Sequence, residues 1–166
     1  MLKQVFSCTL LILISGVLAG CFENPSWTYE GPTVVEMKNE RAGFATQPEN
    51  NIANTIRART VRQGIARDSV LIQLVGPQQS APLEVTYTIA ATSTAQEGTH
   101  YNLVGTKGKV TFPANSSRSY IVLQFLPGIP TTAPATQSVS LVLTLQSSAG
   151  VQVSENYKTF TYTIRN

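Results

Sequence analysis

Val139-Ser140-Leu141-Val142-Leu143-Thr144-Leu145-Gln146 places Val139, Leu141, Leu143 and Leu145 at every second position. A two-residue period puts successive side chains on opposite faces of an extended chain, so this stretch reads as a half-buried strand. The pattern recurs on both sides. Leu83, Val85, Tyr87 and Ile89 alternate with Glu84, Thr86 and Thr88, and Phe160, Tyr162 and Ile164 alternate with Thr159, Thr161, Thr163 and Arg165. Each segment turns an apolar face inward and a hydroxyl-rich face outward, as antiparallel sheets with one wet side require. Threonine on the wet face adds β-branching without adding much apolar surface.

Two further runs, Ser69–Val75 and Tyr120–Leu126, are almost continuously apolar and suit central strands. They would turn Val70, Ile72, Leu74, Ile121, Leu123 and Phe125 to the core. Lys109–Phe112 reads as a short strand ended by Pro113, which cannot donate to a ladder. Thr33–Met37 and Asn54–Ile65 are extended candidates with poorer alternation. Gly76-Pro77, Gly105, Gly108, Pro113-Ala114-Asn115, Gly128, Pro130 and Gly150 supply turn signals between the strands. No amphipathic helix longer than a turn or two is evident. Seven or eight short strands after residue 33 predict an all-β, two-sheet antiparallel sandwich over residues 33–166.

Composition agrees. Of 166 residues, 42% are hydrophobic and 13% charged, about half the usual charged share of roughly 25%. That excludes a disordered tail or a coiled coil. A formal charge of +3 is too small and too diffuse to argue for nucleic acid as a partner.

The N-terminus carries a different message. Lys3 precedes Val5–Leu18, fourteen residues without a charge, which suits a secretory signal and is short for a spanning helix of about 20 residues. The run ends in Leu18-Ala19-Gly20-Cys21, which resembles the lipobox of bacterial lipoproteins. That resemblance implies removal of residues 1–20 and lipidation, palmitate included, of Cys21 as the new first residue. Residues 21–32 then form a lipidated tether, with two prolines, one glycine and no periodicity. More than one acyl chain holds a protein stably on a membrane. Phe22 stands where an inner-membrane retention aspartate would be in well-studied Gram-negative bacteria, so the resemblance favours the outer membrane. Cys8 lies inside the signal, so the 146 residues from Cys21 onward hold no second thiol and no disulfide.

Val85–Tyr120 contains Gly98-Thr99-His100-Tyr101 and Gly108-Lys109-Val110-Thr111-Phe112-Pro113-Ala114-Asn115. With the strand and Ala-Thr loop before them, these resemble the Calx-β pattern, an immunoglobulin-like sandwich. The lipobox, the "GTHY" step, the "PANS" turn and Ser154–Phe160 together are also similar to small Bacteroidota lipoproteins of unknown function. Calx-β domains include calcium binders, but the step that carries an aspartate in that family has His100 here, a poor ligand for a hard cation. Pro127–Gln137, where the family has an acidic loop, holds no acid. Glu97 and Glu155 are isolated carboxylates. No metal or other cofactor is expected, and the proline-rich loop reads as a stiff connection between sheets.

Catalysis finds little material. His100 is the single histidine and Asp68 the single aspartate, with no nucleophile elbow, zinc spacing or phosphate loop around them. His100 reads as a hydrogen-bonded loop residue beside Tyr101. No catalytic residue is assigned.

Arg57, Arg59, Arg62 and Arg67 fall within eleven residues, after Glu23, Glu30, Glu36, Glu40 and Glu49. They offer a basic face for an anionic glycan or lipopolysaccharide, or, more plainly, an edge neutralised by those glutamates. Asp68-Ser69-Val70 fits a Bacteroidota O-glycosylation acceptor pattern. Trp27, Tyr101, Tyr120 and Tyr157 are the aromatic candidates for a sugar site. The expected function is a non-catalytic, lipid-anchored envelope module acting in structure or in a protein complex. The alternative is an accessory glycan-binding lipoprotein associated with polysaccharide uptake.

Overall fold

A computed structural model describes residues 29–40, 54–148 and 150–166. Cys21 with its lipobox Leu18, Ala19 and Gly20, and also Trp27, Glu23 and Glu49, lie outside the described residues.

Eleven strands and no helix occur among the described residues: β1 (Val34–Lys38), β2 (Asn54–Thr55), β3 (Ala58–Arg62), β4 (Asp68–Val75), β5 (Leu83–Ile89), β6 (Tyr101–Val104), β7 (Lys109–Phe112), β8 (Arg118–Phe125), β9 (Ser138–Gln146), β10 (Gln152–Val153) and β11 (Thr159–Arg165). They form two sheets, one ordered β10-β1-β4-β8-β6 and the other β2-β3-β11-β9-β5-β7. The protein is an all-β, two-sheet sandwich, and every segment expected to be extended holds a strand.

The inner faces follow the alternation. Val85, Tyr87, Leu141, Leu143, Leu145, Phe160, Tyr162 and Ile164 of the second sheet are buried against Val70, Ile72, Leu74, Ile121, Leu123 and Phe125 of the first. Tyr162 sits between Phe125 and Phe160, with ring centroids 5.1 Å away on each side and tilted ring planes. Tilted packing suits the ring quadrupoles and joins the two layers at their centre. Ile89 departs from its expected place: as the last residue of β5 it is 36% exposed.

Two pairings depart from a purely antiparallel sandwich. β3 runs parallel to β11, and β1 runs parallel to β10. Parallel neighbours need a crossover of a dozen residues or more, and both pairs join an early strand to a late one across most of the chain. Two strands were also unforeseen. Tyr101–Val104, not among the expected strands, pairs with β8, and Gln152–Val153 pairs with β1.

Loops bridge the layers where the strands stop. Pro127–Gln137 carries the chain from β8 in one sheet to β9 in the other, as its proline content suggests. Ile129 plugs this loop into the core at 2% exposure. The Gln63 side chain holds it there, accepting from Ile129 N at 2.8 Å and donating to Ile129 O at 2.9 Å. In the Pro113-Ala114-Asn115 turn, Asn115 takes φ of 57°, a left-handed conformation that asparagine tolerates better than most residues.

Candidate functional site

The first sheet presents an outward face built by β1, β4, β8 and β6. Register places Lys38, Leu71 and Tyr120 in one row across it, and Ser69, Val122 and Val104 in the next. Tyr120 is 40% exposed and Val104 43%. Beside them is an open depression of about 560 Å³ lined by Glu40, Arg67, Asp68, Ser69, Tyr120 and Val122. A second depression of about 210 Å³ shares Tyr120 and Val122 and reaches Thr106, Lys109 and Thr111. Tyr120 therefore stands between two hollows.

Three chain segments make this site. Glu40 follows the end of β1, Arg67 and Ser69 flank the start of β4, and Tyr120 lies in β8. Tyr120 Oη donates to Glu40 Oε1 at 3.2 Å, and Arg118 reaches the same oxygen at 3.4 Å. The ring is thus braced by its hydroxyl while remaining open to solvent. Arg67 is exposed and has no ion-pair partner among the described residues.

The four arginines of the expected basic patch are separated by the fold. Arg59 is nearly buried and donates to Asp68 Oδ1 at 2.6 Å, tying β3 of one sheet to β4 of the other. Arg57 donates to the Asn156 carbonyl at 2.9 Å. Arg62 is exposed on the face of β3 opposite Val61, and Arg67 belongs to the depression on the first sheet. The acid that answers Arg59 is Asp68 rather than one of the upstream glutamates. Of those, Glu36 pairs with Lys38 and Glu40 with Arg118.

The aromatic candidates are likewise divided. Tyr101 is buried at 2% exposure. Tyr157 is half-buried with the Lys38 ammonium 5.8 Å from its ring centre. Tyr29 is exposed, and its hydroxyl turns back to donate to Pro32 O at 2.9 Å. Of the described sugar-site candidates Tyr101, Tyr120 and Tyr157, Tyr120 is the one with an exposed ring.

His100 is a loop residue whose Nδ1 accepts from Gln96 N at 2.9 Å. Asp68 Oδ1 accepts from Arg59 and from Ser69 N. Neither side chain is hydrogen-bonded to the other, so the one histidine and the one aspartate are each engaged in local structure. Glu97 pairs with Lys107 and Glu155 with Lys158. Among the described residues, no group of three or more His, Cys, Asp or Glu is placed to hold a metal ion.

Two buried phenols titrate unusually. Burial raises the pKa of Tyr87 above its ordinary 10.0; a backbone hydrogen bond at Gly108 opposes this and the Glu97 charge adds to it. Burial also raises Tyr101, helped by Glu97 and by Tyr87. The folded state then holds these protons more tightly than the unfolded state, so stability is complete below about pH 10 and falls as pH rises through the folded values. Alkaline unfolding followed by circular dichroism is expected to move to higher pH in a Tyr87→Phe/Tyr101→Phe variant. An unmoved alkaline midpoint would contradict this.

Comparison with known structures defines a Calx-β-like, immunoglobulin-like sandwich. The chain is similar to the apo form of the Calx CBD1 domain, at 18% identity and a TM-score of 0.53, covering 80% of this chain and 96% of that one. It is similar to CBD12 of CALX1.2 at 22% identity and a TM-score of 0.50, covering 66% of this chain and 42% of that one. A two-domain protein of unknown function from Bacteroides fragilis NCTC 9343 matches at 6% identity and a TM-score of 0.53, over 81% of this chain and 45% of that one. No protein-family model and no curated protein matches.

Proposed function

We propose that this chain is a non-catalytic cell-envelope module, lipid-anchored through Cys21 and acting as a structural or interaction domain within an envelope complex. The observation that carries the non-catalytic part is the engagement of His100 by the Gln96 amide and of Asp68 by Arg59. Similarity to the Calx domains is one of fold and is compatible with such a module. The anchor is supported by Leu18-Ala19-Gly20-Cys21 behind an uncharged run, and Phe22 favours the outer membrane.

Fractionation tests this reading. Wild-type protein is expected in the outer-membrane fraction and to incorporate an alkyne-palmitate label. A Cys21→Ser variant is expected to lose the label and its membrane retention. Equal fractionation and equal labelling of the two would overturn the anchor. Co-purification of envelope proteins with the acylated chain from native membranes would support the interaction role.

A second reading, an accessory glycan-binding lipoprotein, is favoured by one specific feature. Tyr120 exposes an aromatic ring beside carboxylate, guanidinium and hydroxyl groups in an open hollow. Sugar sites combine an apolar surface for ring C–H groups with polar groups placed for hydroxyls.

A further inference from the structure

We propose that the hollow between Glu40, Arg67, Ser69 and Tyr120 is a subsite for an acidic sugar, a pyranose bearing a carboxylate. The inference rests on the second reading above and makes its ligand specific.

Charge decides the class. Arg67 is exposed in the hollow and without an ion-pair partner among the described residues, whereas the Glu40 carboxylate is already paired with Arg118 from outside the lining. With Glu40 answered by Arg118 and Asp68 by Arg59, Arg67 is the uncompensated charge of the lining. A guanidinium fork matches a carboxylate in plane and spacing. Asp68 also lines the hollow, but its charge is met from within the sandwich by Arg59.

Shape decides that the carboxylate belongs to a sugar rather than to a small anion. Tyr120 and Val122 give the hollow an apolar floor that inorganic phosphate would not use. A pyranose offers C–H groups to such a floor and hydroxyls to its rim. Ser69 can donate or accept there. Glu40 uses Oε1 for Tyr120 and Arg118, and Oε2 has no partner among the described residues. The second hollow, across Tyr120, has room for the neighbouring residue of an oligosaccharide.

The test is titration calorimetry with the full acylated chain in detergent, using three probes. Trigalacturonate supplies α-linked uronate, a hyaluronan tetrasaccharide supplies β-linked uronate, and maltotriose is neutral. Saturable binding of at least one uronate oligomer is expected, tighter than maltotriose by about tenfold or more, and weakened by raising the salt. Arg67→Ala is expected to remove that preference, and Tyr120→Ala to weaken all saccharide binding. Arg62→Ala, an exposed arginine on the other sheet, is expected to change nothing. Equal binding of maltotriose, mapped to Tyr120 by the Tyr120→Ala variant, would overturn the acidic subsite and leave a glycan-binding protein. Failure of all three probes to bind would overturn the subsite and count against glycan binding. Unaltered uronate binding by Arg67→Ala would overturn the assignment of Arg67.

Discussion

Asp68→Ala is expected to cost about 3–5 kcal/mol of stability, because it strands a buried guanidinium. The side chains of Arg59 and Asp68 are only 10% and 5% exposed. Their single short contact, Arg59 to Asp68 Oδ1, is the one ion pair among those described that joins the two sheets. Arg59 Nε and Asp68 Oδ2 are both buried without a hydrogen-bond partner among the described residues. The pair is therefore end-on and incompletely satisfied, so the attraction offsets only part of its desolvation. This yields a sharper expectation. An Arg59→Met/Asp68→Leu double variant should unfold at a denaturant midpoint near or above wild type, while Asp68→Ala alone unfolds far earlier. If the single and double variants lose stability equally, the pair is not the inter-sheet clasp described here.

Gly128→Ala should be the next most damaging change. A Cβ at residue 128 would lie 2.2 Å from the Thr99 carbonyl oxygen and 2.8 Å from its carbon. Both are backbone atoms, so no side-chain rotation relieves the clash. The loop after β8 packs here onto the loop before β6, where Leu126 N donates to His100 O at 2.9 Å. Overpacking of this kind costs about 1–3 kcal/mol and can cost more where the backbone must move. Thermal unfolding should show a fall in Tm of about 4 °C or more. Gly64→Ala is the comparison. Its Cβ would meet nothing within 4 Å, although φ of 78° strains any side chain there. A Gly128→Ala protein as stable as wild type would show that the two loops are not in close contact.

Much of the sandwich is visible in the chain because a half-buried strand writes its burial into every second residue. Leu141, Leu143 and Leu145, and Phe160, Tyr162 and Ile164, were assignable to the core on that ground alone, and all six are buried. Parallel pairing leaves no such mark, since the side-chain period is the same in either direction, so the partners of β1 and β3 could not be foreseen. Short strands fail for another reason. Tyr101-Asn102-Leu103-Val104 is too brief for a period and starts in the Gly98–Tyr101 step. Tyr101, an aromatic candidate for a sugar site by sequence, is a core residue.

The candidate site was less legible. Glu40, Arg67 and Tyr120 are up to eighty residues apart in sequence, and the pairing of β1 with β4 and of β4 with β8 brings them together. Sequence proximity grouped Arg57, Arg59, Arg62 and Arg67, yet strand alternation and the Asp68 contact disperse them. Local charge density reports composition. The fold decides which charges share a face.

Intact-mass spectrometry of the protein extracted from native membranes tests the central proposal most directly. The expected species begins at Cys21 and carries the added mass of a diacylglyceryl group, with residues 1–20 absent. A chain that retains those residues, or that begins elsewhere with Cys21 as an unmodified thiol, would contradict a lipid-anchored envelope module.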